Sequence, residues 1–226
     1  MKIRKLLQGL VAVSALCVGA TSLHAQGISV FAMGSVSSLY NGKSYLEHSV
    51  PYESNYKTGG GITLGAEWRL NRILGVEGAY SRVRNNLTLT NVGASPAVES
   101  GYGIHDQRFS ADLVAHAPTS FLGLKPYLAG GPEYDHFSQA GTSSNIFSGF
   151  TNAPLGAANK LGLNYGGGLD WGFLPHIALR VDVRDHVTTT PTYGFPSSSN
   201  TGPYFPVSGA AHDLEYSAGI VVRVGK

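Results

Sequence analysis

The sequence predicts an all-β fold, an eight-stranded antiparallel up-and-down transmembrane β-barrel, from three observations. Apolar and polar residues alternate with a period of two over eight segments of about ten residues, the length that a tilted strand needs to cross a bilayer. The connections between these segments alternate strictly between long and short. A segment with the layout of an export signal precedes the first strand, and no apolar stripe at helical spacing follows it.

The chain begins with the layout of a secretory signal peptide. Basic residues are followed by an apolar run over residues 10–20 and then by small residues that end before Gln26. The apolar run is about half of the roughly 20 residues that a spanning helix needs. We therefore expect residues 1–25 to be removed on export and residues 26–226 to form one mature domain. The basic residues are Lys2, Arg4 and Lys5.

The composition excludes several classes of protein. Cys17 is the only cysteine and lies in the signal segment, so the mature chain has neither a disulfide framework nor a thiolate metal site. Loss of the three basic residues lowers the total of Lys and Arg from 16 to 13, against 14 Asp and Glu, a balance that does not predict nucleic-acid binding. A content of 30 Gly, 11 Pro and 12 Tyr favours strands and turns over helices.

Each predicted strand has two unlike faces. In the strand that contains Glu67 and Arg69, these two side chains share one face and aliphatic side chains share the other. One face therefore suits lipid or a core, and the other tolerates charge. The strands are predicted at residues 28–38, 60–70, 74–83, 104–115, 125–134, 161–173, 177–187 and 214–224.

The connections favour a membrane barrel over a soluble periplasmic barrel or sandwich. A soluble barrel or sandwich gives no reason for long and short connections to alternate. Outer-membrane barrels have short turns on the periplasmic side and longer loops outside. The pattern therefore predicts four long extracellular loops and short periplasmic turns. The long connections are residues 39–57, 84–103, 135–160 and 188–211, and the short ones are residues 71–73, 116–123 and 174–176.

These features resemble the OmpA/OmpX-like family of small outer-membrane β-barrels, in which an outer membrane protein beta-barrel domain follows a signal peptide. The resemblance covers nearly all of residues 26–226 and rests on architecture. It implies location in the outer membrane, contact with outer-membrane lipid, and delivery by periplasmic chaperones and the barrel-assembly machinery. The chain departs from the family at its end, where Gly225 and Lys226 stand in place of the common terminal aromatic residue.

Charged residues on the polar strand faces are predicted to line the inside of the barrel. An isolated buried charge costs several kcal/mol, so carboxylates and guanidinium groups enclosed in a narrow barrel are expected to pair. The interior of an eight-stranded barrel is just wide enough for side chains to fill it. We therefore predict a plugged, ion-paired lumen with a structural role. Its residues are Glu67, Arg69, Glu77, Arg108, Asp112, Glu133, Asp170, Arg180, Asp182, Arg184, Glu215 and Arg223.

Trp68 and Trp171 fall near the short turns, where an amphipathic ring can lie among lipid head groups. The alternative is that both are ordinary core residues. Each follows a run of three glycines, at residues 59–61 and 166–168. These glycines are expected to make room inside the barrel or to allow strong curvature. A phosphate-binding loop is not expected, because no helix follows them.

The sequence favours an outer-membrane protein of structural or surface-interaction type over an enzyme. No cofactor and no metal site is expected, because the histidines are scattered and show no paired spacing. We expect a monomer. Its fourth loop is rich in Pro and Ser, a composition that suits either a binding surface for an unidentified ligand or a mobile loop.

Two alternative functions remain open from the sequence. One is a narrow pore for ions or small solutes, which requires an open lumen. The other is an outer-membrane lipid A acyl hydrolase that uses His136 and Ser138, which share one strand face two residues apart. The nearest acids, Glu133 and Asp135, lie on the other face, so the spacing is weak support for a catalytic site.

Overall fold

The computed structural model describes residues 27–40, 43–47, 50–91, 98–140, 156–193 and 209–224. The predicted signal peptide and most of the fourth loop lie outside the described residues. In the part of the chain that is described, no helix is long and apolar enough to cross a membrane.

The described residues form one antiparallel sheet that closes on itself. Each strand from β3 to β9 pairs with its neighbour in sequence, and β1 pairs with both β9 and β3. This closure gives a ring of eight strands and leaves β2 outside the ring, paired with the outer part of β3. The predicted eight-stranded antiparallel up-and-down barrel is confirmed. The strands are β1 Ile28–Tyr40, β2 Lys43–Glu47, β3 Val50–Arg69, β4 Leu74–Asn91, β5 Val98–His116, β6 Leu124–Gln139, β7 Ala158–Gly172, β8 Ile177–Thr189 and β9 Ala210–Val224.

The register around the ring determines the tilt of the strands. A path that starts at Ile28 and moves from partner to partner around the ring returns to β1 at Ser38, ten residues further along. A stagger of this size over eight strands corresponds to strands inclined by roughly 40° to the barrel axis. The partners along the path are Trp68, Val76, Leu113, Gly130, Tyr165, Asp185 and Leu214.

The strands extend further from the short turns than predicted, and the predicted loop boundaries were wrong. β4 continues to Asn91 and β5 begins at Val98, so both strands extend well into the predicted second connection. The first connection contains β2 and the start of β3. In these outer parts outward side chains such as Arg84 and Asn86 are polar, while Leu87 and Tyr102 point inward. The alternation expected of a membrane strand, apolar outward and polar inward, is therefore lost although the hydrogen-bonded ladder continues. β6 continues to Gln139 and β8 to Thr189, so these strands extend into the predicted third and fourth connections as well.

The three short connections lie at one end of the barrel, here called the turn end; the opposite end is the loop end. In the first turn, Asn71 Oδ1 accepts hydrogen bonds from the backbone N–H groups of Ile73 and Leu74, both at 2.8 Å. The side chain thus satisfies two backbone donors where the ladder stops. In the second turn, Leu122 and Gly123 have φ values of 52° and 79°, a left-handed conformation that glycine adopts at little cost.

Apolar side chains cover the outer face of the barrel. Leu113, Leu128 and Leu161 are 64%, 69% and 78% exposed. A soluble protein rarely leaves such a large apolar surface uncovered, whereas a membrane barrel needs an outward apolar band. Trp68 and Trp171 also face outward near the turn end and are 39% and 48% exposed, so neither is an ordinary core residue. Their contact with lipid head groups stays a prediction.

Candidate functional site

Arg180 lies inside the barrel near the turn end and is completely buried. It points inward because it alternates with the outward apolar residues of β8. Its guanidinium donates hydrogen bonds to Asp170 Oδ1 at 2.7 Å, to Glu77 Oε2 at 2.8 Å and to Glu67 Oε2 at 3.1 Å. One side chain of β8 is therefore bonded to carboxylates of β3, β4 and β7.

Two aromatic rings enclose the Arg180 guanidinium. Its Cζ lies 4.9 Å from the ring centroid of Phe31 and 4.6 Å from that of Tyr127, a favourable arrangement for a cation. Each ring lies across a glycine of the next strand. A Cβ on Gly65 would be 2.2 Å from Phe31 Cζ, and a Cβ on Gly168 would be 2.7 Å from Tyr127 Oη. Gly168, in the second glycine run, therefore makes room inside the barrel.

Arg184 extends this charge network towards the loop end. It donates to Glu77 Oε1 and Asp112 Oδ2, both at 2.6 Å, and to Asp182 Oδ1 at 3.0 Å. Glu77 thus accepts hydrogen bonds from both Arg180 and Arg184. Charge-assisted hydrogen bonds of this length offset part of the cost of removing the charges from water.

Arg69 and Arg223 lie at the turn end of the same network and are partly exposed. Arg69 Nε is 3.1 Å from Glu67 Oε1, and Arg223 Nη2 is 3.8 Å from Asp170 Oδ2. His116, the last residue of β5, donates from Nε2 to Glu67 Oε1 at 2.6 Å. We call Arg180, Arg184 and the carboxylates bonded to them, together with Arg69, Arg223 and His116, the inner cluster.

A second charge cluster surrounds Arg108, nearer the loop end. Arg108 Nε donates to Asp106 Oδ2 at 2.8 Å, and Nη1 donates to Glu215 Oε2 at 3.1 Å. Its Nη2 donates to Asp213. Asp135 Oδ1 is 3.9 Å from Arg108 Nε. This outer cluster also contains His186, which donates from Nδ1 to a carboxylate of β6.

The outer cluster holds more acid than base. Both carboxylate oxygens of Asp135 and Oδ1 of Asp106 are buried without a hydrogen-bond partner. In the part of the chain that the structure describes, no group of three or more His, Asp or Glu side chains is arranged to hold a metal ion. The surplus of carboxylates makes this level of the lumen attractive to cations. The buried carboxylates are Asp106, Glu133, Asp135, Asp213 and Glu215, against the buried Arg108 and His186 and the half-buried Lys160, the register partner of Asp135.

An apolar plug fills the lumen at the loop end. Tyr193, from the segment that follows β8, enters it, and its hydroxyl lies 3.1 Å from that of Tyr56. Burial, and then proximity to Tyr56, raises the pKa of Tyr193 well above its usual value, so the phenol stays neutral. Between the two charge clusters is a cavity of about 20 Å³, room for about one water molecule. The plug consists of Leu39, Tyr56, Leu87, Tyr102, Ile104, Phe137 and Tyr193.

The sequence matches the family model described as the outer membrane protein beta-barrel domain over residues 9–219. The chain belongs to this family. Membership places the protein in the outer membrane, where barrels have their short turns on the periplasmic side. No curated protein matches the chain.

Solved structures of other small outer-membrane barrels resemble this one. The crystal structure of OprG from Pseudomonas aeruginosa has a TM-score of 0.59 at 12% identity and covers 90% of this chain and 98% of its own. Neisserial surface protein A has a TM-score of 0.54 at 17% identity, with coverage of 89% and 100%. AlkL, solved in lipid bilayers, has a TM-score of 0.53 at 15% identity, with coverage of 91% and 94%. At such identities the likeness shows the fold alone.

The structure of this outer-membrane barrel places all twelve predicted lumen residues on the inner side of its strands, ten of them buried and Arg69 and Arg223 partly exposed. Sequence reasoning missed five further buried acids and histidines there. Four of them lie two positions from a predicted lumen residue on the same strand, so continuing the period of two would have found them. The fifth, His116, was assigned to a turn but ends β5. The other four are Asp106, Asp135, His186 and Asp213.

His136 and Ser138 lie on the outer face of β6 near the loop end, as their parity predicted. His136 Nδ1 is 2.6 Å from Asn159 Oδ1. Glu133 and Asp135 point into the lumen. Among the described residues no carboxylate contacts His136, so the pair lacks the third group that orients a catalytic imidazole.

Proposed function

We propose that this outer-membrane barrel has a structural or surface-interaction role, with a closed, ion-paired lumen and no catalytic centre. The observation that carries the proposal is the filling of the lumen at three successive levels: the inner cluster, the outer cluster and the apolar plug. An ion that crossed the barrel would have to separate buried ion pairs, each of which costs several kcal/mol to break.

Single-channel conductance in planar lipid bilayers tests the closed lumen. The folded barrel is expected to show no openings above the detergent blank. A matched variant, Phe137→Ala with Tyr193→Ala, removes two rings of the apolar plug and should also stay silent, because both charge clusters remain. Discrete openings of the unmodified protein would overturn the proposal. Openings of the variant alone would show that the plug, and not ion pairing, closes the lumen.

The acid-rich outer cluster favours one second candidate, a narrow cation leak. Five carboxylates face three basic side chains at this level, Arg108, His186 and the half-buried Lys160, and low-dielectric walls concentrate their field. If openings occur, a salt gradient across the bilayer should then give a reversal potential close to that of the cation. A reversal potential near zero would remove this candidate.

The proposal includes no enzymatic activity. His136 is bonded to an amide, and the acids of its strand face the lumen, which supports the absence of a lipid A acyl hydrolase. Mass spectrometry of lipid A from cells with and without expression should give identical acylation. Loss of an acyl chain that Ser138→Ala restores would contradict this part of the proposal.

We further propose that the protein is exported with cleavage before Gln26 and inserted as a monomer by periplasmic chaperones and the barrel-assembly machinery. Its lasting partners would be outer-membrane lipid and an unidentified ligand of the surface loops. The exposed apolar band supports the lipid contact. The intact mass of the purified protein should correspond to residues 26–226, and a mass that includes residues 1–25 would exclude cleavage.

A further inference from the structure

Four basic side chains lie together on the outer face of β3, β4 and β5 near the loop end. Lys57, Arg82 and Arg84 are exposed, and His105 is half-buried. In the sheet, Arg84 is the register partner of His105, and Arg82 is the partner of Gln107 on the same strand. Arg82 Nη2 donates to His105 Nε2 at 3.3 Å. We call Lys57, Arg82, Arg84 and His105 the basic patch.

No carboxylate with a described side chain balances the basic patch. Among the side chains that the structure describes, none of its Lys and Arg residues forms an ion pair within 4 Å. Asp106, next to His105 on β5, and Glu77, on the strand of Arg82 and Arg84, point into the lumen. Like charges on adjacent strands destabilise a sheet unless a counter-charge lies between them. The described part of the chain therefore does not supply the anion that would balance the patch.

The position of the patch corresponds to the boundary of the outer apolar band. Tyr80 and Phe109 lie directly below Arg82 and its partner Gln107, with ring centroids 4.9 Å apart. Aromatic residues of this kind mark the head-group level of a membrane barrel. Arg84 lies ten residues from the turn-end residue of β4, Leu74.

On the opposite side of the barrel, two outward residues at the same distance from the turn end are apolar. Val187 lies ten residues from Ile177, and Leu214 lies ten residues from Val224. The patch is thus a basic area without an acidic partner at the level of these two apolar residues, whereas the outward Asp185 beside them is paired with His212. A cation on the lipid face is costly at the bilayer midplane and costs little only at the interface. An anionic partner at the interface would explain why these cations are placed there.

A cleft continues the patch towards the loop end. It is lined in part by Lys57, Arg84, Asn86, Thr88 and Gly103, and it is open to the outside. Amide, hydroxyl and backbone groups beside two cations are suitable for binding oxygen-rich anions. The cleft therefore offers space for a head group next to the charges.

We propose that the basic patch binds the phosphate groups of the phosphorylated glycolipid, lipid A, in the outer leaflet. Arg82 and Arg84 would hold a phosphate through paired N–H donors, the geometry for which a guanidinium is suited. Lys57 adds a point charge from the neighbouring strand. The inference needs only the outer-membrane location and does not depend on whether the lumen conducts.

Lipid A binding can be measured on the full protein purified from outer membranes in a neutral detergent. Lipid A that carries its phosphates is titrated in, and the bound fraction is read by native mass spectrometry. Arg82→Gln with Arg84→Gln should weaken binding at least about tenfold, the loss expected when one charge-assisted hydrogen bond is removed. The matched control, Arg72→Gln, removes an exposed cation in a turn-end connection and should bind as the unmodified protein does.

Two further binding measurements identify the ligand. The same glycolipid after removal of its phosphates should bind at least about tenfold more weakly to the unmodified protein and equally to both variants. Inorganic phosphate at millimolar concentration should not displace the lipid; displacement would overturn the assignment to lipid A in favour of a general anion site. Equal binding of phosphorylated and dephosphorylated glycolipid would also overturn it. All variants must show the gel mobility of the folded barrel, so that a folding defect is not read as lost binding.

Discussion

A charge as deeply buried as that of Arg180 must be balanced inside the lumen. Even after relaxation, the transfer of an ion from water to a protein interior costs several kcal/mol. Three carboxylates within 3.1 Å and two aromatic rings offset this cost for Arg180. Because Glu77 also accepts from Arg184, the loss of one guanidinium affects the environment of the other.

We predict that Arg180→Met lowers the free energy of unfolding by about 3–5 kcal/mol, because Glu67, Glu77 and Asp170 lose their shared partner. Urea unfolding in detergent micelles, followed by tryptophan fluorescence, measures this change. The matched control is Arg223→Met, whose partly exposed guanidinium lies 3.8 Å from Asp170. It should change the free energy by less than about 1 kcal/mol. Equal losses in the two variants would contradict a central role for Arg180.

Which residues line the lumen was predictable, but which of them pair was not. The period of two assigns a face to each residue of a regular strand without any knowledge of its neighbours. Arg180 and Glu77, by contrast, are 103 positions apart in the chain and meet through the stagger of the whole ring. Asp135 was missed for a different reason, since its strand was expected to end one residue earlier.

At the scale of elements, β6, β7 and β8 are joined by a contact that crosses the middle strand. Tyr127, Gly168 and Asp182 are register partners in succession. The Tyr127 hydroxyl donates to Asp182, so the phenol ring must pass over Gly168. A glycine in a strand lowers its intrinsic stability, and here the ring that covers it compensates.

We predict that Gly168→Ala reduces the yield of folded barrel and destabilises it by about 1–3 kcal/mol, because overpacking forces the ring or the strand to move. The new Cβ would be 2.2 Å from the carbonyl oxygen of Val181 and 2.7 Å from Tyr127 Oη. Gly78→Ala is the matched control, since a Cβ at that position meets nothing within 4 Å. The folded fraction on an unboiled gel and the urea midpoint report both variants. A Gly168→Ala protein as stable as Gly78→Ala would show that the close approach is not required.

The outer parts of the strands show where sequence periodicity stops being informative. From Asn85 to Asn91, β4 carries mostly Asn, Thr and Leu, and the lipid-facing positions no longer need to be apolar. The backbone ladder with β5 nevertheless continues to the last residue of the strand. Strand ends beyond the membrane are therefore determined by pairing with the neighbouring strand, which a single sequence does not reveal.

At the scale of the whole molecule, closure into a ring follows from long-range pairing. The strand number was readable from the sequence, because the alternation along each strand is a local pattern. The stagger of ten residues was not, because it depends on how every strand pairs with the next. This stagger decides the width of the lumen and hence which charged residues meet inside it.

Because the sheet closes into a ring, strands inside the ring should matter more for stability than β2, which lies outside it. Ile220 lies in the middle of β9, between Ala32 of β1 and Leu179 of β8, so Ile220→Pro interrupts the ring. Ser44→Pro makes the same change in β2, which pairs only with β3 outside the ring. We predict that the unmodified protein and Ser44→Pro migrate differently before and after boiling in SDS, because a ring without free edges keeps its compact form in detergent.

Ile220→Pro should lose most of this difference, since a proline inside the ring creates unpaired edges on both sides of β9. Migration of proteins recovered from the outer-membrane fraction, unboiled and boiled on one gel, makes the comparison. If Ile220→Pro kept the full shift, resistance to SDS would have to come from the charged lumen alone. If Ser44→Pro lost it, the hairpin of β2 and β3 would contribute to closure, contrary to the topology.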